Sequence, residues 1–495
     1  MIKNFIQKVK EVMYKLGILK GVKEIAQHKQ IDIDEQFYNQ IDFWDALYKG
    51  YHADDFHNLK YHTIEKGEQT RRMLTLNIPK TVSQEMASLV FNEKVDINIS
   101  DNEFSKVIED IKKNNKFNKN FQDYLEYSFA LGGVVIKPYV ANDQIKLTFV
   151  DAKSFIPLSW NNRGVFEAVF PNQFKKGKYW YTHLEWHTWE GNLYVIQNTL
   201  HRSDNRAELG ITVNLDEVFE GLEPEIRFSR FDHQAMFVHI KPNVANNFDM
   251  HSPLGISLYA NALDTINQID TMFDSFNREF RLGKKRIAVP SEMIKSVIDP
   301  NTGEMHRYFD ANDESYEAFK FGDNSDSKIE DLTVELRVEE HISAINSMLN
   351  LLAMQTGFSS GTFSFDGESM KTATEVVSEQ SKTFKSKKSH ETVIESALQE
   401  LIDIIAYLGR TFRLFTVPNQ FETSVAFDDS VAEDKTAEIT RLSQELQNKL
   451  IPKKRAIMRY YGLTEEEAQE WLNEINQENA TATNESLDFF GGSGE

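Results

Sequence analysis

The sequence predicts an α+β protein of several domains, on three observations. Its middle places two helices with narrow apolar stripes on either side of a small strand-rich insert. Residues 145–240 alternate apolar and polar side chains with a period of two. With 495 residues the chain can bury more than one core.

Taken in order, Met1 to Met13 carries charge every few residues and reads as an amphipathic helix rather than a signal peptide. Nowhere does an apolar run reach the length that crosses a bilayer, so a soluble protein of a cytoplasm, or of a particle assembled there, is expected. Residues 1 to about 65 read as helical and charged, with Trp44 and Tyr48 set to pack on the next domain. Leu76 to Phe91 predicts a helix with Val82, Met86, Leu89 and Val90 on one face, followed by a strand from Val95 to Ile99. The pattern repeats as a helix near Phe117 to Leu131, a Gly132-Gly133 break and a strand from Val134 to Val140.

The period-two region comes next, with strands such as Gln144 to Val150, Phe166 to Phe170, Lys178 to Thr188 and Asn192 to Leu200. Glycine, proline and asparagine separate them, which is the pattern of antiparallel hairpins. His183, Glu185 and His187 fall two apart on one strand face, an arrangement sterically able to hold a cation. Leu184, Trp186 and Thr188 on the other face are those of an ordinary half-buried strand, and no second cluster completes a site. No metal or cofactor is therefore expected.

From Ile266 the apolar residues recur as Ile266, Ile269, Phe273, Phe276 and Phe280, with Asn267, Asp270, Asp274, Asn277 and Glu279 between them. After the insert, whose strands are expected at Arg286 to Val289, Met305 to Phe309, Tyr316 to Phe319 and Ile329 to Val334, the stripe returns as Ile342, Ile345, Leu349 and Leu352. Each is a thin seam on a helix expected to be wet elsewhere. Two readings stay open: an ordinary helical hairpin in a core, or a pair that lines an aqueous space or abuts identical neighbours.

Thr356 to Gly367 holds three glycines, several hydroxyls and Phe358, Phe363 and Phe365, which gives a loop with backbone freedom and sticky points. Thr372 and Glu375 fit a capping box, and no proline occurs until after Thr411, so a helix of roughly 40 residues and on the order of 60 Å is expected. Ser381 to His390 loses the apolar stripe and suggests a bend or an exposed basic surface, or simply a solvated face. Val417-Pro418 then breaks the chain, and three short helices come after Asp434. Gly462, Thr464 and Glu467 mark a helix end and a second capping box. The tail from Asn479 has little to bury and is expected to be disordered.

Lys plus Arg number 55 against 76 Asp plus Glu, a formal charge of −21. Such a chain is ill suited to wrapping duplex DNA, where lysine and arginine displace counterions, but suits a surface that meets DNA without gripping it. The absence of cysteine excludes disulfides and thiolate chemistry. There is no phosphate-cradling Gly-x-x-x-x-Gly-Lys-Ser/Thr stretch, dinucleotide fingerprint, zinc-protease helix or nucleophile elbow. Architecture is indicated over catalysis, and no enzyme is expected.

Four segments carry a resemblance: Asn77 to Ile97 with its Met86-Ala87-Ser88-Leu89-Val90-Phe91 core; Pro253-Leu254-Gly255-Ile256-Ser257-Leu258-Tyr259 through Ile269-Asp270 to Gly283-Lys284-Lys285-Arg286-Ile287; Lys371-Thr372-Ala373-Thr374-Glu375-Val376; and Phe427-Asp428-Asp429-Ser430 with Gly462-Leu463-Thr464-Glu465-Glu466-Glu467-Ala468. In this order, across about residues 40–478, the chain resembles the portal proteins of tailed bacteriophages, in the branch of long-tailed phages of Gram-positive hosts. The resemblance implies a homo-oligomeric ring, usually of twelve copies, at one capsid vertex of the virion, with double-stranded DNA passing non-specifically through its axis during packaging and ejection. It implies partners too: the terminase large subunit, a head-tail adaptor, and the major capsid and scaffolding proteins, with no membrane.

By the same resemblance, residues 1–252 form a wing, 253–282 a first stem helix, 283–335 a clip and 336–355 a second stem helix. Residues 356–370 form a tunnel loop, 371–433 the long helix and a return to the wing, and 434–478 a helical crown, with 479–495 the tail. Gly357, Phe358, Ser360, Gly361, Thr362, Phe363, Phe365, Asp366 and Gly367 are then the residues expected to face DNA, with Lys284, Lys285, Arg286, Lys371 and Lys382 as basic contacts near the axis. A non-ring capsid-associated or scaffolding protein is the alternative, and a metal-dependent hydrolase on His183, Glu185 and His187 a third reading.

Overall fold

The computed structural model describes residues 35–50, 56–63, 67–91, 95–206, 208–229, 234–283, 287–290, 297–298, 305–306, 316–319, 330–331, 334–364, 381–427, 435–461 and 468–475. The amino-terminal helix, Lys284, Lys285, Arg286, Phe365, Asp366, Gly367, Lys371, the cap pair Thr372 and Glu375, the markers Gly462, Thr464 and Glu467, and the tail lie outside the described residues. The chain divides into two compact units, residues 1–369 with 379–427, and residues 370–378 with 428–495. Both helices and sheets are well represented, so the α+β class holds.

In the first unit, helix α1 (Glu35–Tyr48) buries Phe37, Ile41 and Trp44, spaced by four and three, and Trp44 is fully enclosed. The helical reading does not extend to residue 65. Strands β1 (Asn58–Thr63) and β2 (Gly67–Arg72) form an antiparallel hairpin with Asn58 opposite Arg72. The cause is visible in Leu59-Lys60-Tyr61-His62-Thr63, where the alternation is of period two and no stripe of period 3.6 exists for a helix to bury.

Helix α2 (Ile78–Val90) buries Val82, Met86 and Val90, leaving Leu89 half-buried. Strand β3 (Val95–Ile99) alternates buried and exposed residues. Helix α3 (Asn102–Asn114) is capped by the Asp101 carboxylate, which accepts from the Phe104 N–H at 2.8 Å. Helix α4 (Phe117–Leu131) sets Phe117, Phe121, Leu125 and Phe129 four apart on one buried face, and the Phe117 and Phe121 rings stack at 5.1 Å.

Gly132 ends that helix at a φ of +92°. A Cβ there would lie 2.4 Å from the Gly255 carbonyl oxygen, so two backbone segments meet where no side chain fits. Gly132→Ala should therefore cost about 2–3 kcal/mol from φ strain and a backbone shift together. Urea denaturation checks this; a loss under about 0.5 kcal/mol would show that the two backbones part without strain.

Beyond Gly132, β4 (Val134–Ala141), β5 (Gln144–Asp151) and β12 (Val238–Ile240) form a three-stranded antiparallel sheet with β4 central. Its Val134, Val135 and Ile136 are all buried, as a strand covered on both faces requires. The hairpin-rich region is a single antiparallel sheet: β6 (Ile156–Asn161), β7 (Gly164–Lys176), β8 (Tyr179–Glu190) and β9 (Leu193–Ser203) pair in sequence, with β10 (Ile211–Val213) and β11 (Glu225–Ser229) both on β9. The chain returns late to its start, for β18 (Thr423–Phe427) pairs with β3, Phe427 opposite Val95.

Three histidines sit inside this unit with no carboxylate among the described residues to hold their protons. Burial lowers His201 to about 4, His239, beside Lys241, to about 3 and His390 to about 4. In the unfolded chain each takes a proton near pH 6.5, so the unfolded state binds more protons between there and about pH 4. Their contribution is therefore intact above about pH 6.5 and is lost as the pH falls. The thermal midpoint should drop by many degrees from pH 7.5 to 5, and less steeply in His390→Gln, which keeps an acceptor for the Asn243 N–H. An unchanged midpoint over that range would sink the prediction.

In the second unit, α8 (Lys435–Gln447) and α9 (Lys453–Tyr461) are followed by helical residues 468–475. Leu442, Ala456 and Ala468 are buried, and the Tyr461 and Trp471 rings lie 5.1 Å apart.

Candidate functional site

Helix α5 (Leu263–Leu282) and helix α6 (Val338–Thr356) pack on each other, joined by the insert. Their stripes meet unequally. Ile266 and Ile269 on α5, and Ile345, Leu349 and Leu352 on α6, are buried; Phe273, Phe276 and Ile342, nearer the insert, are half-buried, and Phe280 is 46% exposed. Leu282 and Leu336 at the neck are exposed as well. Glu279 accepts hydrogen bonds from the Arg337 guanidinium, which holds that carboxyl down at about 2.

The wet-helix expectation fails on one face of α5. Asp270 is wholly buried and accepts from the Thr75 hydroxyl and the Leu76 N–H, both at 2.9 Å, with His57 Nε2 at 3.1 Å. One turn on, Asp274 takes both ends of the Arg71 guanidinium and the Leu74 N–H, and Arg71 holds its carboxyl below the usual carboxylate range. The two carboxylates, four apart on one helix face, fasten the segment from β2 to α2 onto α5. Sequence reasoning missed both. The near cation, Arg278, stands four residues from Asp274, whereas the cation that binds it is about 200 residues away.

The insert has a mixed sheet in which β13 (Ile287–Pro290) is central, parallel to β16 (Tyr316–Phe319) and antiparallel to β17 (Glu330–Asp331). A second pair, β14 (Val297–Ile298) with β15 (Met305–His306), lies within it.

Gly357, at a φ of +86°, ends α6, and the Phe358 N–H bonds back to the Ala353 carbonyl at 2.8 Å. The loop then turns inward. Phe358 is fully buried and Phe363 nearly so, their rings edge to face at 5.0 Å. This corrects the expectation that these two rings face DNA: they join the core, and Ser360, Gly361, Thr362 and Ser364 are what the loop exposes. Ser359 and Thr383 tie the loop to α7 (Ser381–Phe412) by reciprocal bonds, Ser359 N–H to Thr383 Oγ1 at 2.8 Å and Thr383 N–H to Ser359 Oγ at 3.1 Å. The Gly361 N–H donates to Asn350 Oδ1 at 2.7 Å, so the loop is fastened to both flanking helices.

Helix α7 runs unbroken through the basic stretch. Lys387 is buried against Glu391, also buried, at 3.2 Å, which removes it from the expected basic surface. His390, likewise buried, accepts from the Asn243 N–H. Lys382 is exposed, with its Nζ on the Met354 carbonyl at the end of α6, and with Lys385 it borders a cleft of about 300 Å³ beside the loop.

His183, Glu185 and His187 do not converge on open space. Glu185 lies between Lys137 Nζ at 2.7 Å and His187 Nε2 at 2.6 Å, while His187 Nδ1 meets the Tyr194 hydroxyl and His183 meets Asn198. Burial would raise the Glu185 carboxyl, yet Lys137 and His187 outweigh it and hold the group well below the usual carboxylate range. The strand's other face is buried too, with Leu184 and Trp186 enclosed. Among the described residues no group of three histidines or carboxylates is arranged to hold a metal ion.

The arrangement is a helix pair around an insert, with a loop pinned to both flanking helices and ion pairs that fasten distant segments to the first helix. The sequence matches the family described as phage portal protein, SPP1 Gp6-like, over residues 27–481, and the chain belongs to that family. No curated protein matches it. No helix among the described residues is long and apolar enough to cross a membrane.

Proposed function

We propose that the chain forms a closed ring of about twelve copies at one capsid vertex, through which duplex DNA enters during packaging and leaves during ejection. The α5–α6 pair forms the stem, the insert is the outward clip that receives terminase and then the head-tail adaptor, the residues before Pro253 with α7 form the wing, and residues 434–478 form the crown. The loop after Gly357 borders the bore and meets DNA through Ser360, Gly361, Thr362 and the residues just beyond them. Lys382 is a basic contact beside it.

One observation carries this reading: the apolar seam of α5 and α6 is sealed at one end within the subunit and left open at the other, where Phe276, Phe280, Leu282 and Leu336 have no cover sufficient to bury them. A neighbouring copy of the same helix pair supplies that cover in a ring. Electron microscopy of the purified full chain should show rings with a central hole, and native mass measurement should give a large homo-oligomer. A dimer, or a monomer that persists at high concentration, defeats the proposal and favours the capsid-associated or scaffolding alternative.

A further inference from the structure

The sides of α5 and α6 that point away from their shared seam carry opposite charge. Arg278 comes nine residues after the buried Ile269 and Glu340 nine residues before the buried Leu349, and nine residues are about two and a half turns of helix. Arg278 therefore stands on the far side of α5, and Glu340 on the far side of α6. The Phe276 and His341 rings lie 5.4 Å apart across the seam, which sets Arg278 and Glu340 within about one helical turn of each other in height. Both are exposed, and neither makes an ion pair or hydrogen bond among the described residues. The opposite charges nearest to them are engaged elsewhere, Asp274 with Arg71 and Arg337 with Glu279. Asp264, the carboxylate on the same side of α5, is about 21 Å along the helix, at its other end. Short side chains continue both sides, Thr271 and Ser275 on α5, Ala344 and Ser347 on α6, all exposed, and short side chains let helices approach closely. Leu282 ends the α5 side, and Leu351 and Met354 extend the α6 side, each an apolar group left in water.

We propose that the far side of α5 docks on the far side of α6 of a second copy of this chain, with Arg278 paired to Glu340 of that copy. One subunit cannot make this contact with itself, because its own seam lies between the two charges. Two copies that met side by side through the same helix would set Arg278 on Arg278 or Glu340 on Glu340, which like charges oppose. The contact is head-to-tail instead: every copy offers one side of each sign, so the same contact repeats from copy to copy until the rotation closes it. This inference rests on the ring reading above and names the two surfaces that hold the ring together.

Charge reversal in the full chain tests the pairing, with native mass measurement and sedimentation reading assembly against concentration. Arg278→Glu alone and Glu340→Arg alone should each raise the concentration for half assembly about tenfold, because an attraction becomes a repulsion at every contact. Co-expression of the two variant chains should restore the parent value. In alternation, the altered α5 of one chain meets the altered α6 of the other, and the parent pair forms at the next contact. A defect of folding, or of a contact within one subunit, is not repaired by mixing, since each chain still carries its own reversal. Reversals that assemble like the parent overturn this inference and leave the ring reading standing, as do mixed chains that assemble no better than either alone. A parent chain that stays monomeric or dimeric sinks both.

Discussion

Asp270→Ala should destabilise the protein by about 3–5 kcal/mol, the loss expected when one member of a buried, hydrogen-bonded charged group is removed and its partners stay behind. The alanine leaves the Thr75 hydroxyl, the Leu76 N–H and His57 facing a void in a site with no solvent access. Asp270→Asn keeps one acceptor oxygen and should lose about half as much. Denaturant midpoints for the two variants check the order; equal and small losses would mean the network is satisfied by water in its place. The effect should spread beyond α5, because the segment from β2 to α2 loses half of its fastening.

The second large effect concerns function. Gly361 sits at a φ of +83° and donates its N–H to Asn350, and proline permits neither. Gly361 is exposed, with nothing within 4 Å of a Cβ placed there, so Gly361→Pro should leave α6 and α7 packed as before. Rings should form in normal yield while DNA packaging falls below detection. Rings that fail to form would instead make the loop an assembly element, and packaging at the parent rate would remove it from the DNA path. Deleting Phe363 to Phe365 is the poorer test, since Phe363 is part of the core with Phe358.

Periodic features were legible in the sequence. The period-two run marked the strands β7 to β9, and the fours and threes from Ile266 and Ile342 marked α5 and α6, because both signals are local and repeat along the chain. What stayed hidden depends on partners far away. Asp270 and Asp274 read as solvated because their donors come from residues 57–76, and Lys387 reads as a surface lysine although the interior receives it with Glu391. The loop misled differently: glycine and serine suggested freedom, but two left-handed glycines and the Ser359–Thr383 exchange form a tight turn that drives Phe358 inward. Glu185 is the same lesson on a strand, where period two put it beside two histidines but could not show Lys137 arriving from another sheet.

The pairing of β13 with β17 places Ile287 opposite Asp331, so the connection between α5 and α6 leaves and returns through adjacent strands of one ladder. Its two ends are thus held about 5 Å apart, whatever lies between them. The insert is in this sense a cassette: its length and outer chemistry can change while the two rods beneath keep their spacing. A foreign domain with neighbouring termini, grafted at the same two points, would meet the same geometry.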